Sequence, residues 1–459
     1  MNLRLSFALT AGKAAQGILH LTGSGATALP GLITYRLAPK ALTHLAAQCD
    51  EGIVLVSGTN GKTTTCRLIA AILESSGKPF IHNRSGSNMT RGHISAFLTQ
   101  TGPSGHVRAR QALLEVDEAV FPSTLEQTKP TVVVLHNVFR DQLDRYGEVD
   151  SIVKKWKEAL VKYLPPESTL IINADDPNLA YLGETLGHPQ TLYYGLDDES
   201  VASREPLSTV DAFLSPATGA PLQYEYYYVS HLGKYHDAGS DFARPALCKA
   251  ATKIHSTEDG VRFSLEDVEY SVALPGLYNV YNYLAAISTA QTLGYSNDQI
   301  KAAAHNLEGA FGRFERVERN GQTVTFCLIK NPAGAAEVLR TIAHTDRKKP
   351  LALAIMANDK FADGLDVSWY WDTPFEVLGG KVTRLLCGGN RAFDMALRCK
   401  YAGVSTDWKV LTSTVDVLSA IDDMTVRGEY DIYVLTTYTA TIEVQSELKK
   451  LGWKKASWH

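Results

Sequence analysis

The sequence predicts an α/β protein with two α/β domains in series, the first of them carrying a phosphate-binding loop. Three observations predict it. Short apolar runs alternate with helical patterns along most of the chain, which is how parallel sheets covered on both faces read. A glycine-containing string, Ser57-Gly58-Thr59-Asn60-Gly61-Lys62-Thr63-Thr64-Thr65, stands between one such run and one such helix. The length of 459 residues exceeds what one hydrophobic core serves, so two or three domains are expected.

Apolar residues make up 45% of the chain and charged residues 20%, the profile of an ordinary globular protein. The formal net charge of −4 provides no overall basic surface, so nucleic acid is not an expected partner. The six cysteines, at 49, 66, 248, 327, 387 and 399, form no C-x-x-C pair. Their scatter fits free thiols in a reducing cytoplasm.

At the N-terminus, Ser6, Thr10, Gly12 and Lys13 interrupt what would otherwise be an apolar signal-like run. Leu3, Leu5, Leu9, Ala14, Ile18 and Leu21 read as one face of an amphipathic helix packed on the body. Residues 1–45 are taken as an N-terminal helical segment. Ile53-Val54-Leu55-Val56 is the first buried strand, and Leu68, Ile69, Ile72 and Leu73 line one face of the next helix, which Gly77 stops. Further buried strands are expected at 111–116, 131–136 and 168–173. A small β-rich insertion is expected over about 203–255, where prolines, glycines and the cluster Tyr224-Glu225-Tyr226-Tyr227-Tyr228 break the rhythm. The pattern resumes after Leu274-Pro275-Gly276 with a helix over about 278–293. Gly312-Arg313-Phe314-Glu315 reads as a junction closing a central domain, 46–312. Strands at 323–329, 351–356, 382–387 and 431–436 then mark a separate α/β domain, 313–459.

A loop between a buried strand and a helix offers backbone N–H groups and a helix dipole to phosphate. Gly58 and Gly61 give the loop its freedom, Lys62 brings a cation, and the hydroxyl of Thr63 or Thr64 suits Mg²⁺. The general pattern G-x-x-x-x-G-K-[ST] would need a glycine at position 56, which is Val56.

The variant string Gly58-Thr59-Asn60-Gly61-Lys62-Thr63-Thr64 resembles the form this loop takes in Mur ligases and folylpolyglutamate synthases. Further strings match in order. Asn137-Val138-Phe139-Arg140-Asp141-Gln142-Leu143-Asp144 resembles the N-x-x-x-D-H-x-D segment, and Asn173-Ala174-Asp175-Asp176 the N-x-D-D turn. Gly276 to Asn282 resembles the G-x-H-N-x-x-N helix start, Gly312-Arg313-Phe314-Glu315 the G-R-x-E junction, and Asn331-Pro332 the H-N-P element with Lys330 in place of His. His82-Asn83, Gly86-Ser87-Asn88-Met89, Glu115-Val116-Asp117-Glu118, Lys330-Asn331-Pro332-Ala333-Gly334 and Asp363-Gly364-Leu365-Asp366-Val367-Ser368-Trp369 are narrower. They make the chain similar to the MurT family within that superfamily, over about residues 30–445.

The resemblance implies a Mur-ligase central domain followed by a Rossmann-like C-terminal domain. It implies ATP and Mg²⁺ as cofactors. The implied reaction is ATP-dependent amidation of the α-carboxylate of D-glutamate in the lipid II stem peptide, through an acyl phosphate. A GatD-like glutaminase subunit, paired as a heterodimer, would supply the ammonia. The chain would be cytoplasmic and reach the inner membrane face through its lipid II substrate. Gly58 through Thr64, Asn279, Asn282 and Arg313 would bind the nucleotide. Thr63 and Glu115 would hold Mg²⁺, and Lys62 and Glu115 would serve catalysis. Asp366 would complete a Cys-His pair of the glutaminase across the interface, as a carboxylate does in such sites.

Many MurT-family proteins carry a four-cysteine zinc ribbon in the insertion. Here its two knuckles read Ser215-Pro216-Ala217-Thr218-Gly219 and Asp237-Ala238-Gly239-Ser240. A zinc-ribbon-like but metal-free β-structure is expected, stabilised by its tyrosines. Two other functions fit parts of the sequence. One is a ligase of the Mur or folylpolyglutamate type that adds an amino acid, against which stands the shortness of the segment before the phosphate loop. The other is a nucleotide-binding scaffold without catalysis, against which stand Lys62, Thr63 and Glu115.

Overall fold

The computed structural model describes the chain except residues 1–2, 23–27, 85–86, 103–104, 141–148, 207–211, 213, 258–259, 306–313 and 456–459. Two large sheets carry it. In the first, β1 (Gly52–Ser57), β2 (Phe80–His82), β3 (Gln111–Glu115), β4 (Val132–Leu135), β5 (Thr169–Asn173) and β6 (Thr191–Leu196) pair in parallel, in the order β6-β5-β4-β1-β3-β2. β7 (Gln223–Val229) and β8 (Leu232–His236) form a separate two-stranded sheet. β9 (Lys249–Thr257), inside the stretch 203–255, instead continues the first sheet beyond β6. β10 (Gly260–Leu265) and β11 (Val268–Val272) complete its nine strands in antiparallel fashion.

The second sheet has seven strands among the described residues. They are β12 (Glu315–Arg319), β13 (Gln322–Leu328), β14 (Leu351–Met356), β15 (Val382–Gly388), β16 (Trp408–Leu411), β17 (Asp431–Thr436) and β18 (Lys454–Lys455), in the order β16-β15-β14-β17-β13-β12-β18. Every strand expected from the apolar runs is present, within two residues of its expected bounds.

The reason is side-chain alternation. Val54 and Val56 of β1 enter the core on one face, and Ile53 and Leu55 enter the core on the other. β14 repeats this, with Leu351, Leu353 and Ile355 on one face and Ala352, Ala354 and Met356 on the other. A strand buried on both sides has no polar position, so it reads as a continuous apolar run. Each buried Leu or Ile contributes about 2 kcal/mol by leaving water.

Helix α1 (Leu3–Thr22) packs on α2 (Leu29–Leu37), and both lie with α3 (Ala41–Ala46) over one face of the first sheet. α4 (Lys62–Glu74) follows the glycine loop and buries Leu68, Ile69, Ile72 and Leu73, as expected. α5 (Thr90–Thr99) completes the layer with α1 and α2. The single face expected for the N-terminal helix is divided. Leu5 and Leu9 are buried, whereas Leu3 and Ile18 are exposed. At 100° per residue, positions 3, 14 and 18 lie opposite positions 5 and 9. The side chain of Leu21 lies outside the described residues.

The β7–β8 hairpin is anchored to the first sheet through the turn Asn173-Ala174-Asp175-Asp176. Tyr235 donates its hydroxyl to the Ala174 carbonyl at 2.9 Å, and Gly233 N donates to the Asp175 carbonyl at 3.0 Å. The buried Asp175 carboxylate accepts from Tyr281, Arg244 and the Leu196 N–H. Burial pushes its carboxyl up to about 6 against the pull of Arg244 and Tyr281. Asp176 caps the helix Pro177–Leu186 by accepting from Asn178 N and Leu179 N. This pair of aspartates therefore joins elements together. Tyr224 stacks on Tyr227 at 4.2 Å and tilts against Tyr235 at 5.7 Å. The turns holding Ser215 and Asp237 meet, because Thr218 and Ser240 both donate to Asp237 Oδ2, at 2.6 and 3.0 Å. Hydrogen bonds, first from Ser215, hold the Asp237 carboxyl well below the usual range.

Candidate nucleotide site

Gly58 and Gly61 both have positive φ, 143° and 88°. Space as well as φ requires glycine at 61. A Cβ there would stand 2.2 Å from Asn282 Oδ1 and 2.4 Å from His136 Nε2. The loop is held from below by the strand-end residues after β4. Thr59 N donates to the Asn137 carbonyl at 2.9 Å, and Asn60 N donates to Asn137 Oδ1 at 2.8 Å. Asn137 Nδ2 returns a bond to the Asn60 carbonyl at 3.0 Å. Phe139 N donates to Thr59 Oγ1 at 3.0 Å. Gly61 then caps α4, whose first-turn N–H groups have no acceptor within the helix. A rigid loop with these donors suits an anion.

Lys62 is buried and donates to the carbonyls of Gly58 and of Thr59, the latter at 3.3 Å. Its ammonium also pairs with Glu118 Oε2 at 2.9 Å, inside the protein. Burial alone would lower the Lys62 pKa, but the carboxylates of Glu118, Asp117 and Glu115 outweigh it and raise it. Burial likewise opposes the charge on Glu118, and Lys62 and Lys330 overcome it. Both partners are thus ionised. Lys330 comes from the second sheet, at the end of β13, and donates to the same Thr59 carbonyl at 3.0 Å. Asn331 beside it exchanges side-chain bonds with Asn60, at 3.1 and 3.4 Å, and caps the helix Pro332–His344.

Glu115 ends β3 alongside Val56, one residue before the loop strand ends. Its backbone is clamped by one side chain, because Asn83 Oδ1 accepts from Glu115 N and Asn83 Nδ2 donates to the Glu115 carbonyl, each at 2.9 Å. His93 Nε2 lies 2.9 Å from the same carbonyl. A carbonyl only accepts, so Nε2 carries the proton. Asn88 meets this region through its carbonyl, which accepts from Asp117 N at 3.0 Å. Thr63 is partly exposed at the helix start and Thr64 is buried. Glu115, close enough to act on Lys62, and the Thr63 hydroxyl together offer the hard oxygen donors that suit Mg²⁺.

On the other side of the loop, His136 donates from Nε2 to Asn282 Oδ1 at 2.7 Å, while its Nδ1 takes the Tyr194 hydroxyl at 2.5 Å. Asn282 Nδ2 donates to Asn279 Oδ1 at 2.8 Å, and Asn279 Nδ2 donates to the Pro275 carbonyl at 2.7 Å. Asn282 thus faces the loop glycine, and Asn279 orients Asn282. A cavity opens here, beside the loop. Asn60, Gly61, His136 and Asn282 line it from the first sheet, Val229 and Leu232 from the tip of the β7–β8 hairpin, and Lys330 and Glu337 from the second sheet's side. Burial raises the Glu337 carboxyl, opposed by Arg340.

The residues Gly58 to Thr64, Glu115, Asn279 and Asn282 are therefore gathered around one loop. Arg313 lies outside the described residues, as does the segment 141–148. Asp366 is elsewhere, in the loop after β14, where its Oδ1 accepts from Ser368 N at 2.8 Å. Trp371 and Tyr401 meet edge to face at 5.8 Å nearby, and Phe393, Leu397 and Tyr401 form an exposed stripe on the helix Ala392–Tyr401. Sequence reading assigned no role to Glu118, His136, Lys330 or Glu337. Glu118 and Lys330 stood inside quoted strings, and His136 directly precedes one. Glu337 carried no signal beyond its helical position.

Two family models match the chain, the Mur ligase middle domain over residues 56–214 and the MurT ligase C-terminal domain over residues 328–441. The MurT subunit of lipid II isoglutaminyl synthase (glutamine-hydrolyzing) from Streptococcus pneumoniae is 33% identical over 98% of this chain and 98% of its own length. That of Staphylococcus aureus is 33% identical over 85% of this chain and 86% of its own. Among solved structures, a pseudomurein peptide ligase type C from Methanothermus fervidus superposes with a TM-score of 0.66 at 21% identity, covering 89% of this chain and 80% of that one. Folylpolyglutamate synthase from Mycobacterium tuberculosis, complexed with ADP and AMPPCP, superposes with a TM-score of 0.61 at 14% identity, covering 98% and 96%.

Proposed function

The chain belongs to the MurT family of Mur-type ligases, and from that premise we propose that it is the ATP-dependent synthetase subunit of a lipid II isoglutaminyl synthase. It converts the α-carboxylate of D-glutamate in the lipid II stem peptide into the amide, D-isoglutamine. Ammonia comes from a GatD-like glutaminase partner, and the reaction takes place at the inner membrane face. Among the described residues, no helix is long and apolar enough to cross a membrane.

One observation carries the reading. A nearly full-length likeness to MurT subunits coincides with a glycine loop and helix start at which Lys62 and Lys330 converge on one carbonyl. In the reaction, a carboxylate oxygen attacks the γ-phosphorus of ATP, ADP leaves, and an acyl phosphate forms. The ammonia lone pair then attacks the acyl carbon, inorganic phosphate leaves, and the nitrogen gives up a proton. Each step gathers negative charge, so positioned cations and backbone donors do most of the work. Lys62 and the first turn of α4 bind the phosphates, and Lys330 adds a second cation from the other domain. Mg²⁺ held by Thr63 and Glu115 would screen the phosphate oxygens. Asn282 and His136 shape the nucleotide cavity.

The exposed apolar stripe Phe393-Leu397-Tyr401, with Trp371, supports a protein partner beside Asp366. The test is amidation of lipid II with ATP and ammonium chloride, with ADP release measured in parallel. Amide formation coupled to ADP is expected, and Lys62→Ala removes both. Efficient coupling to an amino acid in place of ammonia would overturn the assignment.

A further inference from the structure

The N-terminal helical layer has the surface of a membrane-contacting element, and we propose that α1 and α2 dock on an anionic phospholipid bilayer. The proposal deepens the reading of a lipid-linked substrate, but its grounds are the layer's own surface. α1 is apolar on both sides. Leu5, Ala8 and Leu9 are buried against the body, and Thr34 of α2 donates to the Ala8 carbonyl at 3.3 Å. The opposite side should be polar in a helix that meets only water. Instead Leu3 is 88% exposed, Phe7 66% and Ile18 61%, and Ala14 lies between them. These positions follow at i, i+4, i+11 and i+15, one stripe about 22 Å long. α2 adds the exposed Leu29 and Tyr35. Single exposed apolar residues mean little, but a stripe with neighbours on the adjoining helix is a contact surface.

Charge names the occupant. The first acidic residue of the chain is Asp50, and residues 75–114, which hold α5, contain none either. Arg4, Lys13, Arg36 and Lys40 lie in the first stretch, and five more Lys and Arg lie in the second. A stretch of this combined length in a chain with 49 acidic residues would carry about ten of them by composition. Lys78, Arg84 and Arg110 pair with Glu51, Glu74 and Asp50, which lie outside these two stretches. Arg4 binds the Leu37 carbonyl at 2.6 Å, which sets it beside the exposed Arg36 and Lys40 at one end of the apolar stripe. An apolar stripe edged by basic groups, with no acid on its helices, is complementary to anionic headgroups over an acyl boundary. The same layer reaches the segment that follows Glu115. Gly31 of α2 is so close to the Arg91 carbonyl at the start of α5 that a Cβ would overlap it, and Asn88 and Asp117 lie just beyond. Docking this face would present the nucleotide site to a substrate whose lipid tail stays in the bilayer.

The experiment is co-sedimentation of the full chain, with and without its glutaminase partner, on substrate-free vesicles. Vesicles of phosphatidylcholine with one-quarter phosphatidylglycerol are compared with pure phosphatidylcholine. The expected result is binding to the anionic vesicles at least tenfold above the neutral ones, weakened by 0.5 M salt. A Leu3→Gln, Phe7→Gln, Ile18→Gln variant loses at least tenfold of that binding, and an Arg36→Gln, Lys40→Gln variant loses a smaller part. Amidation of a lipid-free substrate analogue and the melting temperature stay unchanged, because these side chains face outward. Equal binding by the triple variant and the parent, or equal binding to both vesicles, overturns the proposal. So does self-association in light scattering that the triple variant abolishes, since a second copy would then be the occupant. Vesicle binding without amidation would instead unseat the proposed function alone.

Discussion

Lys62 and Lys330 donate to the same carbonyl oxygen, that of Thr59, one from the start of α4 and the other from beyond the end of β13, at 3.3 and 3.0 Å. Lys62 lies at the first position of the loop helix, while Lys330 is 271 residues away from Thr59 in sequence. Two ammonium groups at one carbonyl are spaced for a polyanion, and the second depends on how the second sheet seats against the first. Lys330→Ala is expected to lower ammonia-driven amidation by on the order of 10²-fold, the cost of one positioned donor. ADP affinity should change far less than the affinity for an ATP analogue, and Lys330→Arg should restore part of the rate. Equal loss for both nucleotides would make Lys330 a structural contact only.

Glu118 pairs with the buried Lys62 ammonium at 2.9 Å. Glu118→Gln removes the carboxylate hydrogen-bonded to the buried ammonium and leaves Asp117 and Glu115 to act on it without that bond, which is expected to cost about 3 kcal/mol of stability. Saturating ATP analogue should recover most of it, since phosphate then takes the carboxylate's place. Chemical denaturation with and without the analogue reads both numbers, and a loss that the nucleotide does not repair would sink the idea.

Two buried histidines should lower stability as the pH drops from about 6.5 towards 4, opposed below about 6 by Asp175, whose raised carboxyl takes up a proton in the folded chain first. Burial lowers His93 to about 4, opposed by its bond to the Glu115 carbonyl, and burial with Arg84 and Arg67 lowers His82 to about 4. In that window the unfolded chain binds protons that the folded chain refuses, so the stability present above 6.5 is lost on acidification. Each histidine accounts for on the order of 3 kcal/mol. The denaturation midpoint measured against pH checks this, and His93→Gln should flatten the slope; an unchanged slope would remove His93 from the account.

Asp366 accepts only a local turn bond from Ser368 among the hydrogen bonds described, in a loop apart from the nucleotide cavity. Asp366→Asn should abolish glutamine-driven amidation in the complex and leave ammonia-driven amidation within about twofold. Equal loss of both activities would show that Asp366 supports the synthetase itself.

The sequence by itself determined the two α/β sheets, the phosphate loop and the family. β1 and β14 were legible because a strand buried on both faces leaves an unbroken apolar run, and the loop was legible because glycine, lysine and threonine act within eight residues of one another. Only the tertiary structure decided what these elements meet. Glu118 reaches Lys62 across 56 residues, Asn83 clamps Glu115 across 32, and the hairpin tip at Val229 and Leu232 closes a cavity begun by Asn60. The apolar residues of α1 already divide at 100° per residue, with positions 3, 14 and 18 opposite 5 and 9, so a one-face reading fails on helix geometry itself. What the fold adds is that the side of Leu5 and Leu9 finds a neighbour. Local pattern reports a residue's own preference, whereas pairing at a site depends on contacts that the chain makes only once folded.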